Sequence, residues 1–366
     1  MPVDNSFSVA KPGAGLRELG LVLPEAPTPL GAYKVCPSAR LASWRLSSRS
    51  NNAYIHCMKP ASVILFGGFL IMNIANTLGA VSYQTVRVAD LDIFYREAGP
   101  KDRPAILLLH GLPSSSRMYQ PLLESDLASQ YHLIAPDYPG FGHSSWPDHH
   151  SFAYTFDHLA KIIEDFTEQL HLNRYTLFMQ DYGGPVGFRM ALAHPERVQG
   201  LIIQNAVSHE EGLSPLWAVR RSFWQDRPAH EAELRNNLLS LEATRQRHVG
   251  TSPDPTRYDP DLWVDEYYFL NRPGQADIQS DLFYDYQNNL KSYPKWQQWL
   301  RDNKPPLLVL WGRYDPSFTV AGGEAYKKDD PRAEVHILDA GHFALDLKPE
   351  EIVRLTQDFM ARQGQN

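Results

Sequence analysis

The sequence predicts an α/β fold with a mostly parallel central sheet and helices on both faces. From Gln84 onward, short apolar runs alternate with segments whose apolar residues recur at helical spacing. The earliest of these runs are followed by loops rich in Gly and Pro, which are typical of strand ends. The chain has 366 residues, 43% of them hydrophobic, which is enough to bury a large core.

The elements are expected in a regular order along the chain. Alternating apolar and polar residues over 86–99 predict an antiparallel hairpin at one edge of the sheet. Helical spacing predicts an amphipathic helix over 156–170, a second helix after Gly183 and a closing helix over 350–359. Short apolar runs predict buried strands at 106–109, 132–135, 175–179, 201–203, 307–310 and 334–338.

The predicted core has two parts, 83–207 and 300–366. Between them, residues 208–299 lack the short apolar runs typical of strands and instead show helical patterns and many aromatic residues. This segment is expected to form an inserted helical cap, in which most aromatic side chains serve packing.

Residues 1–82 are predicted to form a poorly ordered extension, because residues 1–57 show no sustained period. Within it, residues 58–80 have a basic start, an apolar centre and a small-residue end, like a signal peptide or an anchor. If this segment is used, the protein is secreted or membrane-associated; otherwise it is cytoplasmic.

Composition excludes several classes of function. A net charge of -7 without a dense Lys/Arg run speaks against nucleic-acid binding. The two cysteines, Cys36 and Cys57, precede the folded region, and no His-Glu-x-x-His motif occurs. The expected partners are therefore a small apolar organic substrate and water, with no cofactor and no metal. Nothing in the sequence indicates an oligomeric state.

Asp181 is the candidate nucleophile. It follows the predicted strand 175–179 and precedes Gly183 and Gly184, a pattern typical of a sharp strand-to-helix turn that exposes its central side chain. An aspartate at this place could also simply cap the helix. The catalytic interpretation is favoured because an acid and a histidine follow in the chain order that such enzymes show.

Asp315 and His342 are the expected partners of Asp181. Each follows a predicted strand and a glycine, so the histidine can act as general base and the acid can orient it. Glu210 and Glu211 are alternative acids, but Asp315 is preferred because its Gly-x-x-Asp arrangement directly follows a predicted strand, whereas the two glutamates are typical of a solvated start to the cap. The backbone N–H groups of Leu112 and Tyr182 are expected to form an oxyanion hole.

The region from about Gln84 to Phe359 resembles the α/β-hydrolases of the epoxide hydrolase and haloalkane dehalogenase branch. The matching motifs are HGLP at 110–113, DYPGFGHS at 137–144, QDYGG at 180–184, Asp315 and GHF at 341–343. A carboxylate nucleophile is already ionised at neutral pH and can attack a saturated carbon, giving an alkyl ester.

The resemblance favours an epoxide substrate over a halide. Dehalogenases of this branch have Trp after the nucleophile and often Asn after His-Gly, where this chain has Tyr182 and Leu112. Tyr286 best matches a tyrosine that donates a proton to the opening epoxide, while Trp217, Tyr267 or Tyr268 could line the pocket. Haloalkane or haloacid dehalogenation stays open, as does a non-hydrolytic or small-molecule-binding role.

Overall fold

The computed structural model describes residues 80–363, which belong to one compact unit. The predicted extension 1–82 and its apolar segment 58–80 therefore lie outside the described residues, except at their last positions. Ser82 is already the first residue of a strand, so the folded region begins slightly earlier than the predicted boundary. Among residues 80–363, no helix is long and apolar enough to cross a membrane.

Eight strands form one sheet in the order β1-β2-β4-β3-β5-β6-β7-β8. The first two make the predicted antiparallel hairpin at the edge, β2 is also antiparallel to β4, and all other neighbours are parallel. The strands are β1 (Ser82–Val88), β2 (Leu91–Ala98), β3 (Ala105–Leu109), β4 (His132–Pro136), β5 (Tyr175–Gln180), β6 (Val198–Gln204), β7 (Leu307–Gly312) and β8 (Glu334–Leu338).

Twelve α-helices connect and cover these strands within residues 80–363. They are α1 (Gln120–Leu123), α2 (Leu127–Gln130), α3 (Phe156–Gln169), α4 (Gly183–Ala193), α5 (Trp217–Gln225), α6 (Arg227–Leu239), α7 (Leu241–Val249), α8 (Asp261–Leu270), α9 (Gln275–Asp285), α10 (Gln287–Asn303), α11 (Val320–Asp329) and α12 (Pro349–Gln363).

The central strands are buried on both faces, which explains why they appear in the sequence as continuous apolar runs. In β3 all five residues are buried. Leu107 and Leu109 pack into the cluster on one face, whereas Ile106 and Leu108 pack into the cluster on the other. The helix α3 begins where the Thr155 side chain accepts the backbone N–H of His158, and its apolar stripe faces the first cluster.

Helices α5–α10, here called the insertion, lie between β6 and β7 in the chain. The last of them runs to Asn303, past the boundary of 299 that the composition indicated. Because β3, β5, β6, β7 and β8 are parallel, the loops that follow them leave the sheet at one edge. The candidate residues Leu112, Asp181, Asp315 and His342 come from these loops.

Candidate active site

Asp181 lies in a tight turn between β5 and α4. Its φ angle is +47°, a left-handed conformation that non-glycine residues seldom adopt outside functional or strained positions. A side chain at Gly183 would place its Cβ 2.1 Å from the carbonyl oxygen of Leu109 on β3. Glycine is therefore required there, and the turn directs Asp181 away from the sheet.

The Asp181 carboxylate is 8% exposed and is held by the backbone. The N–H of Leu112 donates to its Oδ1 at 2.9 Å. Burial raises the pKa of Asp181, and His342, the backbone N–H groups of Leu112 and Tyr182, and Arg247 each oppose that rise. The two backbone groups predicted to form an oxyanion hole thus both act on this carboxylate.

His342 lies between two aspartates. Its Nδ1 is 2.6 Å from Asp315 Oδ2, and its Nε2 is 3.7 Å from Asp181 Oδ2. The Gln180 amide nitrogen lies 2.8 Å from Nε2, so the proton of the neutral ring belongs on Nδ1, facing Asp315. Burial lowers the pKa of His342, but Asp315 and Asp181 more than offset this and hold the pKa above its usual value.

Asp315 is fixed by hydrogen bonds on both oxygens. Its Oδ1 accepts the backbone N–H groups of Ser317 at 2.7 Å and Phe318 at 3.0 Å, and its Oδ2 accepts the amide of Asn205 at 2.8 Å. The alternative acids form salt bridges with other residues. Glu210 pairs with Arg221 and Glu211 pairs with Lys328, and all four side chains are exposed. Asp315 is the acid that contacts the histidine.

The side chains around Asp181 enclose an inner cavity of about 10 Å³, large enough for one water-sized group. Tyr286 and Trp217 from the insertion both line it, whereas neither Tyr267 nor Tyr268 does. The inner cavity is lined by Leu112, Asp181, Tyr182, Trp217, Arg220, Arg247, Phe283, Tyr286, Ser317, Phe318 and His342.

Trp217 and Tyr286 both line the inner cavity, and their polar groups have different roles. The Trp217 indole N–H donates to the Ser317 carbonyl at 3.1 Å, so that donor is already used. Tyr286 is buried, and burial, Tyr293 and the Asp181 charge together raise the pKa of its phenol well above the usual value. Tyr286 therefore keeps its proton at neutral pH and can serve as a hydrogen-bond donor.

His110, in the loop after β3, has a structural environment. Its Nε2 accepts the backbone N–H of Tyr138 at 3.2 Å, and its Nδ1 lies 3.1 Å from the Gly111 carbonyl. Burial lowers the pKa of His110, which keeps the ring neutral. Both nitrogens are thus occupied by backbone groups, so His110 has a structural role.

The sequence did not indicate four residues of the site, which are Gln180, Asn205, Arg220 and Arg247. Asn205 directly follows β6, as Asp181 directly follows β5, so its position at a strand end is a signal that could have found it. Gln180 belongs to the motif QDYGG at 180–184, but the sequence predicted no role for it. Arg220 and Arg247 come from α5 and α7, where nothing in the local pattern indicates which side chains face the cavity.

Residues 104–349 match the family described as alpha/beta hydrolase fold. This match covers more than half of the chain, so the protein belongs to that family and is a hydrolase of α/β fold. Its relatives place it in the branch that contains the haloalkane dehalogenases.

Two relatives in sequence and one solved structure are similar to this chain. An uncharacterized hydrolase of Saccharomyces cerevisiae is 39% identical over 290 residues, covering 78% of this chain and 98% of the yeast protein. Haloalkane dehalogenase 2 of Mycobacterium tuberculosis is 38% identical over 226 residues, covering 59% of this chain and 72% of that protein. The structure of the epoxide hydrolase CorEH has a TM-score of 0.62 at 17% identity, covering 77% of this chain and 99% of that one, and shows likeness of fold.

Proposed function

We propose that this hydrolase opens an epoxide to a diol through a covalent alkyl ester of Asp181. The observation that carries the proposal is the asymmetry of the Asp181 carboxylate. Its Oδ1 is held by the Leu112 N–H, whereas its Oδ2 faces His342 Nε2 at 3.7 Å without a hydrogen bond. The free oxygen, Oδ2, is the atom available to attack a substrate carbon.

In the first step, Asp181 Oδ2 forms a bond to an epoxide carbon and the ring C–O bond breaks. The departing oxygen receives a proton from Tyr286, which later regains one from water. In the second step, water adds to the carboxyl carbon of the ester while His342 Nε2 takes its proton. Negative charge then develops on Oδ1, to which the Leu112 N–H donates, and the diol leaves with the proton from His342.

The cavity lining supports an epoxide rather than a halide. Tyr286 is protonated and lines the inner cavity, as a donor to an epoxide oxygen must. The residue after the nucleophile is Tyr182, and the Trp217 indole N–H is bonded to the Ser317 carbonyl, so neither provides a free indole donor for a halide.

Haloalkane or haloacid dehalogenation is the second candidate. It is favoured by the 38% identical relative that is named a haloalkane dehalogenase. The attack and hydrolysis at Asp181 would be the same, and only the leaving group would differ. In either reaction we propose that the insertion acts as the cap over a small organic substrate and that the other reactant is water.

The test is to incubate the protein with aryl and alkyl epoxides and haloalkanes in oxygen-18 water. Diol formation with label entering the Asp181 peptide over repeated turnovers is expected, because hydrolysis exchanges a carboxylate oxygen. His342→Gln should accumulate a substrate adduct on Asp181, visible as added mass, while Asp181→Ala should form none and turn over nothing. Full activity of Asp181→Ala would overturn the proposal, and halide release alone would favour the second candidate.

A further inference from the structure

Two arginines from the insertion are buried in the inner cavity beside the proposed nucleophile. Arg220 on α5 and Arg247 on α7 are each 8% exposed, and both line the cavity. Burial lowers the pKa of Arg220 to about 10, with the charge of Arg247 adding to the effect, and burial also lowers the pKa of Arg247. Arg220 nevertheless remains charged at neutral pH, so two positive charges share this small space.

Neither guanidinium is matched by a carboxylate. Arg220 donates to the Ser317 hydroxyl at 3.2 Å and lies over the Trp217 ring at 4.1 Å, which are both neutral partners. The Nη1 of Arg247 is buried without a hydrogen-bond partner. Within residues 80–363, neither side chain takes part in a salt bridge, although Asp181 acts on both from a greater distance. Buried charges without partners are costly, and a bound anion would relieve that cost.

The arginines also stand at the boundary between the inner cavity and the surface. Arg220, Arg247 and Ser317 line an outer groove of about 390 Å³ as well as the inner cavity. A molecule that enters from this groove meets the guanidinium groups before it reaches Asp181. The inner cavity of about 10 Å³ leaves room beyond them for only a small reactive group.

We propose that Arg220 and Arg247 bind a carboxylate of the substrate and hold its reactive carbon against Asp181. The inference rests on the proposed function and narrows the substrate to organic acids whose epoxide, or other reactive saturated carbon, lies one or two bonds from the carboxylate. It replaces the apolar molecule expected from the sequence. The remainder of a longer acid would lie in the outer groove.

Charge balance gives an additional reason for this assignment. When Asp181 becomes an ester it loses its negative charge, which acts on both arginines; Glu266 still acts on Arg247. A substrate carboxylate stays bound through that step and keeps the cavity from holding two uncompensated positive charges. A neutral substrate offers no such compensation.

A binding measurement tests the proposal without depending on turnover. Propionate and its neutral analogue propionamide would be titrated calorimetrically into Asp181→Asn, in which the competing charge is removed. We expect propionate to bind at least about 10-fold more tightly than propionamide, and Arg247→Gln in the same background to abolish the difference, since one charge-assisted hydrogen bond has about that value. Equal binding of the two ligands, or binding of chloride but not of propionate, would overturn it.

A kinetic comparison uses glycidate and glycidamide, which share the epoxide and differ in charge. The natural chain should show a kcat/KM for glycidate about 10- to 100-fold above that for glycidamide. Arg247→Gln should lose this preference and Arg247→Lys should keep part of it. Arg221→Gln, at an exposed arginine paired with Glu210, is the matched control and should leave the preference intact.

The outcomes separate the two proposals. Turnover of both epoxides through labelled Asp181 without a preference for the acid would refute the carboxylate site and leave the proposed function standing. Propionate binding that depends on Arg247, in a protein that forms no Asp181 adduct, would refute the proposed function and support the carboxylate site.

Discussion

Replacing His248 with glutamine should lower the free energy of unfolding by about 3 kcal/mol. His248 on α7 is 1% exposed, and its ring nitrogens lie 2.7 Å from Asp346 Oδ2 and 2.8 Å from Glu266 Oε2. Removing one member of a buried ion cluster costs roughly 3–5 kcal/mol, because it leaves uncompensated charge behind. We take the lower end because burial already raises the pKa of Asp346, so that carboxylate is poorly stabilised even in the intact cluster.

Thermal unfolding followed by calorimetry is the assay. A loss of about 3 kcal/mol should lower Tm by roughly 6–12 °C in a domain of this size. His336→Gln is the matched control, since His336 also contacts a glutamate but is one-third exposed, and it should change stability by less than about 0.5 kcal/mol. A Tm for His248→Gln equal to that of the control would refute the assignment of a buried charged cluster.

The pH dependence gives a second check on the same variant. Burial opposes the charge on His248, but Glu266 and Asp346 overcome this and raise its pKa to about 10, against about 6.5 in an unfolded chain. A raised pKa stabilises the fold fully below pH about 6.5, and this contribution is lost as pH rises toward 10. The Tm difference between the natural chain and His248→Gln should therefore shrink between pH 6.5 and 10. A constant difference would contradict the reasoning.

The remaining predictions concern the proposed reaction. Tyr286→Phe should reduce kcat for epoxides about 10- to 100-fold through loss of the proton donor while leaving release of halide unchanged, as steady-state assays of both would show. Asn205→Gly keeps the left-handed backbone at φ +42° but removes the hydrogen bond to Asp315, so adduct hydrolysis should slow about 10-fold in single-turnover mass spectrometry. The rate of adduct hydrolysis should rise with pH, and the apparent pKa of this rise should be lower than the pKa seen in the pH profile of kcat/KM. The reason is that His342 loses the neighbouring Asp181 charge when the ester forms.

The sequence predicted the sheet and the place where the candidate site residues meet, because both follow from local patterns. Central strands are apolar on both faces and so stand out as short runs, and the residues that follow parallel strands must meet at one edge. Asp181, Asp315 and His342 all occupy such positions, and the structure brings them within hydrogen-bonding or near-contact distance. The confirmed fold thus rests on periodicity, and the juxtaposition of these residues rests on the topology of a parallel sheet.

The insertion could not be predicted in the same way. Helices α6–α9 have weak amphipathic patterns. The side chains that reach the cavity depend on how the six helices of the insertion pack against one another and against the loop at Ser317. Arg220 and Arg247 are therefore indistinguishable in the sequence from arginines on solvated faces. Burial, which only the folded chain defines, separates them from an exposed residue such as Arg221.

The charges around Asp181 explain how one site can serve both steps of the proposed reaction. Before attack, the negative carboxylate helps hold the pKa of His342 above its usual value and partly offsets Arg220 and Arg247. Esterification removes that charge, which lowers the pKa of His342 and makes its Nε2 a proton acceptor at the moment when water must be activated. The same loss strengthens the attraction of the arginines for a substrate carboxylate, which would hold the bound acid group in place while water attacks the ester.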